Sequence, residues 1–392
     1  MSQILLGFGE SLATPEVFWS LRSGGFEVAA FFRRGSRSAA RALKGLHVID
    51  VTAPETSVEA FRSEVRQLCV EKKAGDCRGL LPMDDATLLL LHDQELDVPF
   101  LGPRGDQARL AIDKSLQFSV AREAGFVVPD FIVIDEASSV RPSLDPLANA
   151  AVIAKPARIG VVDGDRLTRP SARYYEEAAT AMDWIHEDGR GGGPWIVQRV
   201  LKGTGEGVFG MATRTGLRSV SGHRRVRMMN PAGSGSSACA STPIHTEMRA
   251  KTLEFCTRAG WTGLFMIELI RDREDRPWFM ELNGRPWGSM ALARRRGLEY
   301  PLWHVQQQLG ETECPEVDAE GEIECRHLGR ELVHLLFVLR GNRQGAPMWP
   351  SRSGTIVDML RIGKRTHWYN TDRSQRLFAL RDAIETLRKQ LG

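Results

Sequence analysis

Two acids placed in the middle of consecutive apolar segments constrain this chain more than any other feature of its sequence. Residues 264–270 (LFMIELI) and 278–283 (WFMELN) each read as a strand, with a charged turn over 271–277 between them. Together they predict an antiparallel hairpin. Side chains alternate across a strand. Leu264, Met266, Glu268 and Ile270 therefore share one face of the first strand, and Phe279, Glu281 and Asn283 one face of the second. A carboxylate among apolar neighbours is costly to bury unpaired. Two of them, with an asparagine two residues on, imply a cation held between the strands or arginine partners on a solvated face. As a ligand set Glu268, Glu281 and Asn283 is all oxygen, which suits Mg²⁺ rather than zinc or copper. Mg²⁺ held by so few protein groups keeps waters and phosphate oxygens in its shell, which implies a nucleotide.

The rest of the chain supplies the setting. Strand-like segments at 3–6, 26–32, 48–51 and 79–82 alternate with helical patterns at 15–23 and 58–72. This alternation predicts a doubly wound parallel sheet, with the strands at 48–51 and 79–82 buried. The glycines Gly7 and Gly9 after the first strand do not complete a dinucleotide fingerprint, because Leu12 stands where the third glycine is needed and the next strand ends in Arg33-Arg34. A second unit starts near Gly105: a helix over 108–124 carrying Lys114, a strand at 131–134, a connector at 136–150, a strand at 151–155 and a polar loop through Asp165. A helix over 174–186, a break at 189–194 and a strand at 195–201 follow, running into the glycines of 203–207. After about residue 311 the texture changes, with helical periodicity at 331–340, a segment rich in tryptophan and basic residues at 348–369, and a polar helix at 382–390. The expected division is an α/β unit at 1–104, a second unit at 105–310 and an extension at 311–392.

Composition narrows the partners. Fifty-two basic residues against 49 acidic ones leave a net charge of +3, too balanced for nucleic acid or an anionic membrane as the main partner. The basic stretch at 223–227 (HRRVR) has no interleaved aromatics. It leads instead into a Gly/Ser loop at 230–237, where His223, Arg224 and Arg225 suit a phosphate or a substrate carboxylate, or else form a solvated basic strand. No apolar run approaches the ~20 residues of a spanning helix. Six scattered cysteines without a CxxC pair, and an amino terminus without a basic n-region, predict a cytoplasmic protein.

The segment MIELIRDREDRPWFMELNGRPWGSMALARRRGLEYP resembles the closing module of the ATP-grasp superfamily, with an acid on one strand, acid-x-Asn-x-Arg on the next, and a Gly-Ser turn into a helix ending before Pro. The resemblance covers residues 105–310, with 1–104 as the similar preceding α/β domain, and only loosely the tail. It implies a parallel-sheet domain followed by a two-lobed ATP-grasp unit with antiparallel sheets, its central lobe at about 125–200. Glu268, Glu281 and Asn283 would hold Mg²⁺ (Mn²⁺ as a substitute) on ATP phosphates. Arg285 would stabilise charge on the transferring group, with Arg224 and Arg225 beside it. Lys114 and Lys155 match the phosphate-binding lysines. The strand IVQRVLKGTGEG looks like the adenine hinge, making Gln198, Arg199 and Val200 contact positions and Glu206 the candidate for the ribose. Arg199 departs from the pattern, since an acid often stands there.

The activity so implied is a carboxylate-amine ligase: a carboxylate is phosphorylated to an acyl phosphate and passed to an amine, releasing ADP and phosphate. Alternatives are a hydroxyl or other acceptor, or a nucleotide-binding regulatory protein without turnover. The partners are then small molecules. The tail would complete the core, cap the cleft or form a dimer contact.

Overall fold

The computed structural model describes residues 2–135, 142–187, 193–319, 321–342 and 349–391. The connector expected at 136–150, the break at 189–194 and the start of the 348–369 segment lie partly outside these residues.

Four parallel strands open the chain: β1 (Gln3–Gly7), β2 (Glu27–Arg33), β3 (Leu46–Val51) and β4 (Cys77–Pro82), in the spatial order β3-β2-β1-β4. They alternate with α1 (Thr14–Ser23), α2 (Val58–Ala74) and α3 (Asp85–Leu91). Successive strand residues serve opposite faces. Leu5, Ala29 and Phe31 pack with Val58, Phe61 and Val65 of α2, while Ile4, Leu6, Val28 and Ala30 pack with Val17, Phe18 and Leu21 of α1. With both faces covered, the sheet is doubly wound, as a parallel sheet requires. β3 differs from the buried strand expected at 48–51. It is an edge with a single neighbour, and His47, Val48 and Asp50 are exposed.

The helix expected over 108–124 is two helices, α4 (Gly105–Ile112) and α5 (Lys114–Glu123). Asp113 between them is extended, and its carboxylate accepts from the backbone N–H groups of Ser115 and Leu116. An aspartate that takes these amides competes with the helical ladder and starts a new helix instead. Lys114 thereby becomes the first residue of α5.

The central lobe is built from β5 (Phe131–Ile134), β6 (Val152–Pro156), a small hairpin of β7 (Val161–Asp163) and β8 (Arg166–Thr168), then β9 (Arg173–Tyr175), α6 (Ala178–Glu187) and β10 (Trp195–Arg199). Its sheet runs β5-β10-β6-β9, all antiparallel. The polar loop expected through Asp165 is thus a hairpin, whose two-residue turn is Gly164-Asp165, with Gly164 at φ +57° in the first central position that favours glycine. The helix expected from 174 starts at Ala178, because Tyr174 and Tyr175 pair with Ile153 and Val152 in the sheet, where aromatic side chains are favoured.

A seven-stranded sheet, in the order β15-β14-β11-β12-β13-β16-β17, forms the body. Its strands are β11 (Thr204–Thr213), β12 (Gly216–Asn230), β13 (Ser234–Thr242), β14 (Gly263–Arg271), β15 (Pro277–Asn283), β16 (Glu324–Arg326) and β17 (Thr366–Trp368). Its helices are α7 (Thr246–Arg258), α8 (Met290–Arg294), α9 (Tyr300–Gln308), α10 (Leu328–Arg340), α11 (Arg352–Leu360) and α12 (Phe378–Leu391). Phe255 of α7 packs with Phe265, Ile267 and Phe279 on one face. Met290 of α8 and Tyr300 of α9 pack with Phe209, Leu264 and Met266 on the other. Each fully buried phenylalanine stabilises this body by about 1.5–3 kcal/mol relative to exposure. Among the described residues no helix is long and apolar enough to cross a membrane.

Candidate active site

The hairpin of β14 and β15 sets Glu268 directly opposite Glu281, and Met266 opposite Asn283. The register then shifts, so that Leu269 rather than Ile270 faces Phe279. Such a bulge inserts one residue and turns the strand beyond it over. Phe279 therefore leaves the face of Glu281, where strict alternation placed it, and joins Leu269 and Phe255 in the core on the opposite side.

Two facing carboxylates repel, and the fold surrounds them with cations from four separate elements. Arg225 of β12 donates to Glu268 Oε2 at 2.7 Å. Lys114, at the start of α5, is ion-paired with Glu281. Arg285, in the turn after β15, donates through Nε to Asp85 Oδ1 of α3 at 2.5 Å. Lys155, near the end of β6, lies 5.2 Å from the Phe118 ring centroid and makes no ion pair or hydrogen bond among the described residues. Burial pushes the Lys155 ammonium down to about 7, and the neighbouring Lys114 pushes the same way. Burial and the facing Glu281, against the pull of Arg225, raise Glu268 above the usual carboxylate value. Burial would raise Glu281 too, but Lys114 and Lys155 outweigh it and hold it low. Only Glu268 has the arginine partner that the sequence allowed as an alternative, Glu281 having a lysine and neither lying on a solvated face, and the cluster is a nest of charge able to receive a polyanion.

The other expected residues divide between the two faces of their strands. Gln198 shares a face with Lys155, since Ile153 and Ile196 stand opposite Gln198 and Lys155 in the β6–β10 ladder. It is 1% exposed, and its Oε1 has no hydrogen-bond partner. Arg199 points away, pairing with Asp130 at 3.1 Å. The backbone N–H groups of Arg199 and Val200 already donate to the carbonyls of Asp130 and Ala151. His223 joins Arg225 on the face of Glu268, with Nδ1 2.7 Å from Ser289 Oγ and Nε2 unpartnered. Burial, reinforced by Arg225, pushes it down to about 3, so this imidazole is neutral near pH 7. Arg224 lies between them in the strand, is exposed, and faces the other side of the sheet. Glu206, opposite Arg224, is on that far side as well and binds Arg271 at 2.8 Å. The structure therefore brings together Lys114, Lys155, Gln198, His223, Arg225, Glu268, Glu281, Asn283 and Arg285, and does not bring Arg199, Glu206 or Arg224 to them.

No family model matches the chain. Over 139 residues it is 31% identical to a putative D-alanine–D-lactate ligase of Streptomyces coelicolor, a stretch covering 34% of this chain and 37% of that protein. The chain thus spans little more than a third of the length of this curated relative. Among solved structures, an L-amino acid ligase from Bacillus licheniformis superposes with a TM-score of 0.62 at 14% identity, over 83% of this chain and 79% of that one. An N5-carboxyaminoimidazole synthetase from Staphylococcus aureus gives 0.60 at 11%, over 89% and 90%. The biotin carboxylase domain of a Hydrogenobacter thermophilus 2-oxoglutarate carboxylase, in complex with MgADP and bicarbonate, gives 0.59 at 13%, over 82% and 73%. The chain has the ATP-grasp fold.

Within this ATP-grasp fold the residues present fit a magnesium nucleotide. Among the described residues no group of three or more His, Cys, Asp or Glu side chains could hold a metal ion. Glu268, Glu281 and Asn283 would bring two carboxylates and an amide, leaving the rest of the octahedral shell to phosphate and water oxygens. Lys155 without an anion and Gln198 Oε1 without a donor are the buried groups that such a ligand would satisfy. Asp85 escaped sequence reasoning. Its signal was its place just beyond β4, at the carboxyl end of a parallel strand, where sites of α/β sheets gather. Burial raises the Asp85 carboxyl, but Arg285, then Lys114, bring it below the usual value.

Proposed function

We propose that this chain is an ATP-dependent carboxylate-amine ligase that activates a carboxylate as an acyl phosphate and transfers it to an amine. The observation that carries the proposal is the facing pair Glu268 and Glu281 inside a ring of Lys114, Lys155, Arg225 and Arg285. Mg²⁺, when bound by Glu268, Glu281 and Asn283, neutralises phosphate oxygens. With Glu268 and Glu281 engaged by the metal, Arg225 and Lys114 would be free to hold phosphate oxygens, as would Lys155, whose ammonium has no anionic partner among the described residues. Arg285 is oriented by Asp85 before any substrate binds, so its guanidinium needs no reorganisation as charge develops on the transferring group. Gln198 reads the edge of the adenine. The central lobe closes over the cleft and excludes water from the acyl phosphate. The name of the L-amino acid ligase and the MgADP bound to the biotin carboxylase domain support this assignment, and the D-alanine–D-lactate ligase supports carboxylate activation, its lactate offering a hydroxyl in place of the amine.

Small-molecule acids and amines are the partners in this proposal, in a cytoplasmic setting. A homodimer contact would fall on the exposed apolar side chains of α11 and α12 and their surroundings, such as Leu360, Ile362 and Leu377.

The test is ADP release measured across panels of acids and amines. The expected result is release that requires Mg²⁺ and is stimulated only when both an acid and an amine are present. A protein whose melting temperature does not move with Mg-ATP or Mg-ADP would overturn the proposal at its root, since a ligand at ~100 times its Kd adds about 2.7 kcal/mol.

A further inference from the structure

A polar cavity of about 200 Å³ lies where the loop after β1 meets the C-terminal helix α12, with Glu10, Leu12, Arg330, Asn370 and Asp382 in its wall. Three features of that wall point to a ligand. The first is Arg330 of α10. Three arginines around it hold a carboxylate, Arg227 with Glu331, Arg294 with Glu16 and Arg326 with Glu324, whereas Arg295 and Arg296 donate to carbonyl and hydroxyl oxygens. Arg330 donates to the Ser236 carbonyl at 3.0 Å and has no carboxylate within 4.0 Å among the described residues. The second is a pair of acceptors without donors. Asn370 is 1% exposed and gives its Nδ2 to Asp382 at 2.7 Å, but its Oδ1 is unpartnered. Glu10 Oε2 is buried without a hydrogen bond, with Arg33 Nη1 3.8 Å away.

The third feature is position. In the order β3-β2-β1-β4 the chain winds outward from β1 in both directions, so β1 is the switch point beyond whose carboxyl end α/β sheets bind ligands. Leu12 of that loop packs on the turn carrying Arg285 and Ser289, its Cδ2 3.2 Å from where a β-carbon on Gly288 would sit. On the far wall, α12 crosses α10 so closely that a β-carbon on Gly329 would meet Thr386 Cβ at 2.7 Å.

A guanidinium matches a carboxylate bidentately, and acceptors lacking donors match an amine. We infer that this cavity, walled by the C-terminal extension, is the subsite for an amine substrate that carries its own carboxylate, with Arg330 on the carboxylate and Glu10 and Asn370 accepting from the amine. The inference rests on the ligase proposal. It also gives that reaction a direction: a molecule whose carboxylate is taken up by Arg330 presents its amine, so it is the acceptor and not the activated acid.

The test is calorimetric titration of the full chain, saturated with Mg-ADP, with the free amino acids, each beside its carboxamide. At least one free amino acid is expected to bind, its carboxamide about 30-fold more weakly, as for loss of one charge-assisted pair. Arg330→Gln is expected to weaken the acid to the level of the amide while Mg-ADP affinity stays within about two-fold. No binding by any amino acid, equal binding of acid and amide, or an unchanged affinity in Arg330→Gln would overturn the inference. Should that variant fail to fold, the acid-to-amide ratio on the wild-type protein decides. Failure here with intact Mg-ADP binding leaves the ligase proposal standing. Absence of Mg-ADP binding removes the proposal and the inference together.

Discussion

Lys155 makes the cleft sensitive to pH in a direction that can be worked out. Its ammonium is pushed by burial from the ordinary 10.5 to about 7 in the folded chain. Between these values the unfolded chain holds a proton that the folded chain has released, so stability falls as pH drops through that window and levels off below about 7. A polyanion on Lys155 restores the charged form. Binding of Mg-ADP is therefore expected to take up close to one proton at about pH 8.5 and almost none at about pH 6. Titration calorimetry in buffers of different ionisation enthalpy reads this directly, and Lys155→Met should abolish the uptake. Proton uptake that persists in the variant would assign it to another group. Glu281 offers the second residue-scale prediction. Glu281→Gln keeps the shape but removes a magnesium ligand, and turnover is expected to fall by about 10²–10³ with the melting temperature nearly unchanged. Wild-type turnover in this variant would remove Glu281 from the metal site.

Among the elements, the β7–β8 hairpin is distinguished by what it touches. Its turn residue Asp165 accepts from Ser57 Oγ at 2.5 Å and from the Glu59 amide at 2.8 Å, both at the start of α2. A carboxylate there is favoured by the amides and the positive end of the helix dipole. Arg169, just after β8, adds contacts to Glu55 at 3.5 Å and Asp84 at 3.7 Å. The central lobe is thus latched to the parallel-sheet unit across the cleft. Asp165→Ala is expected to speed amide hydrogen exchange in residues 161–168 several-fold while leaving global melting alone. Unchanged exchange there would show that packing, not this cap, holds the hairpin. The break between α4 and α5 works similarly at the level of one turn. Asp113→Ala should cost about 1 kcal/mol as a lost N-cap and, by freeing Lys114 from its place at the head of α5, reduce turnover more than urea stability. Equal losses in the two measurements would mean that the cap serves stability only.

The whole molecule is tied through Glu16, which is 1% exposed. One oxygen binds Arg294 of α8 at 2.6 Å and the other accepts from the Asn370 amide at 2.9 Å. α1, the helix layer of the large sheet and the C-terminal extension thus share one buried carboxylate. Glu16→Ala leaves Arg294 with Glu299 alone, 3.1 Å from its Nε, and the buried Asn370 amide without its acceptor, and is expected to cost about 1–3 kcal/mol in urea unfolding. A loss under about 1 kcal/mol would mean that these layers are coupled by apolar packing alone. Much of this architecture was legible in the residues themselves. Apolar periodicity, glycine punctuation and strand alternation are local properties, so the four parallel strands, the hairpin and the face shared by Glu268, Glu281 and Asn283 could be read from spacing. Local pattern failed where a side chain competed with the backbone, as at Asp113, and where one extra residue turned a strand over, as between Glu281 and Phe279. It also failed to say which charges meet. Lys114 and Glu281 are 167 residues apart, and Arg285 and Asp85 are 200 apart. Spacing along a chain carries no record of such encounters, and only the packing of the parallel sheet, the central lobe and the large sheet against one another decided that Arg285 is held while Lys155 and Arg330 are left without a carboxylate.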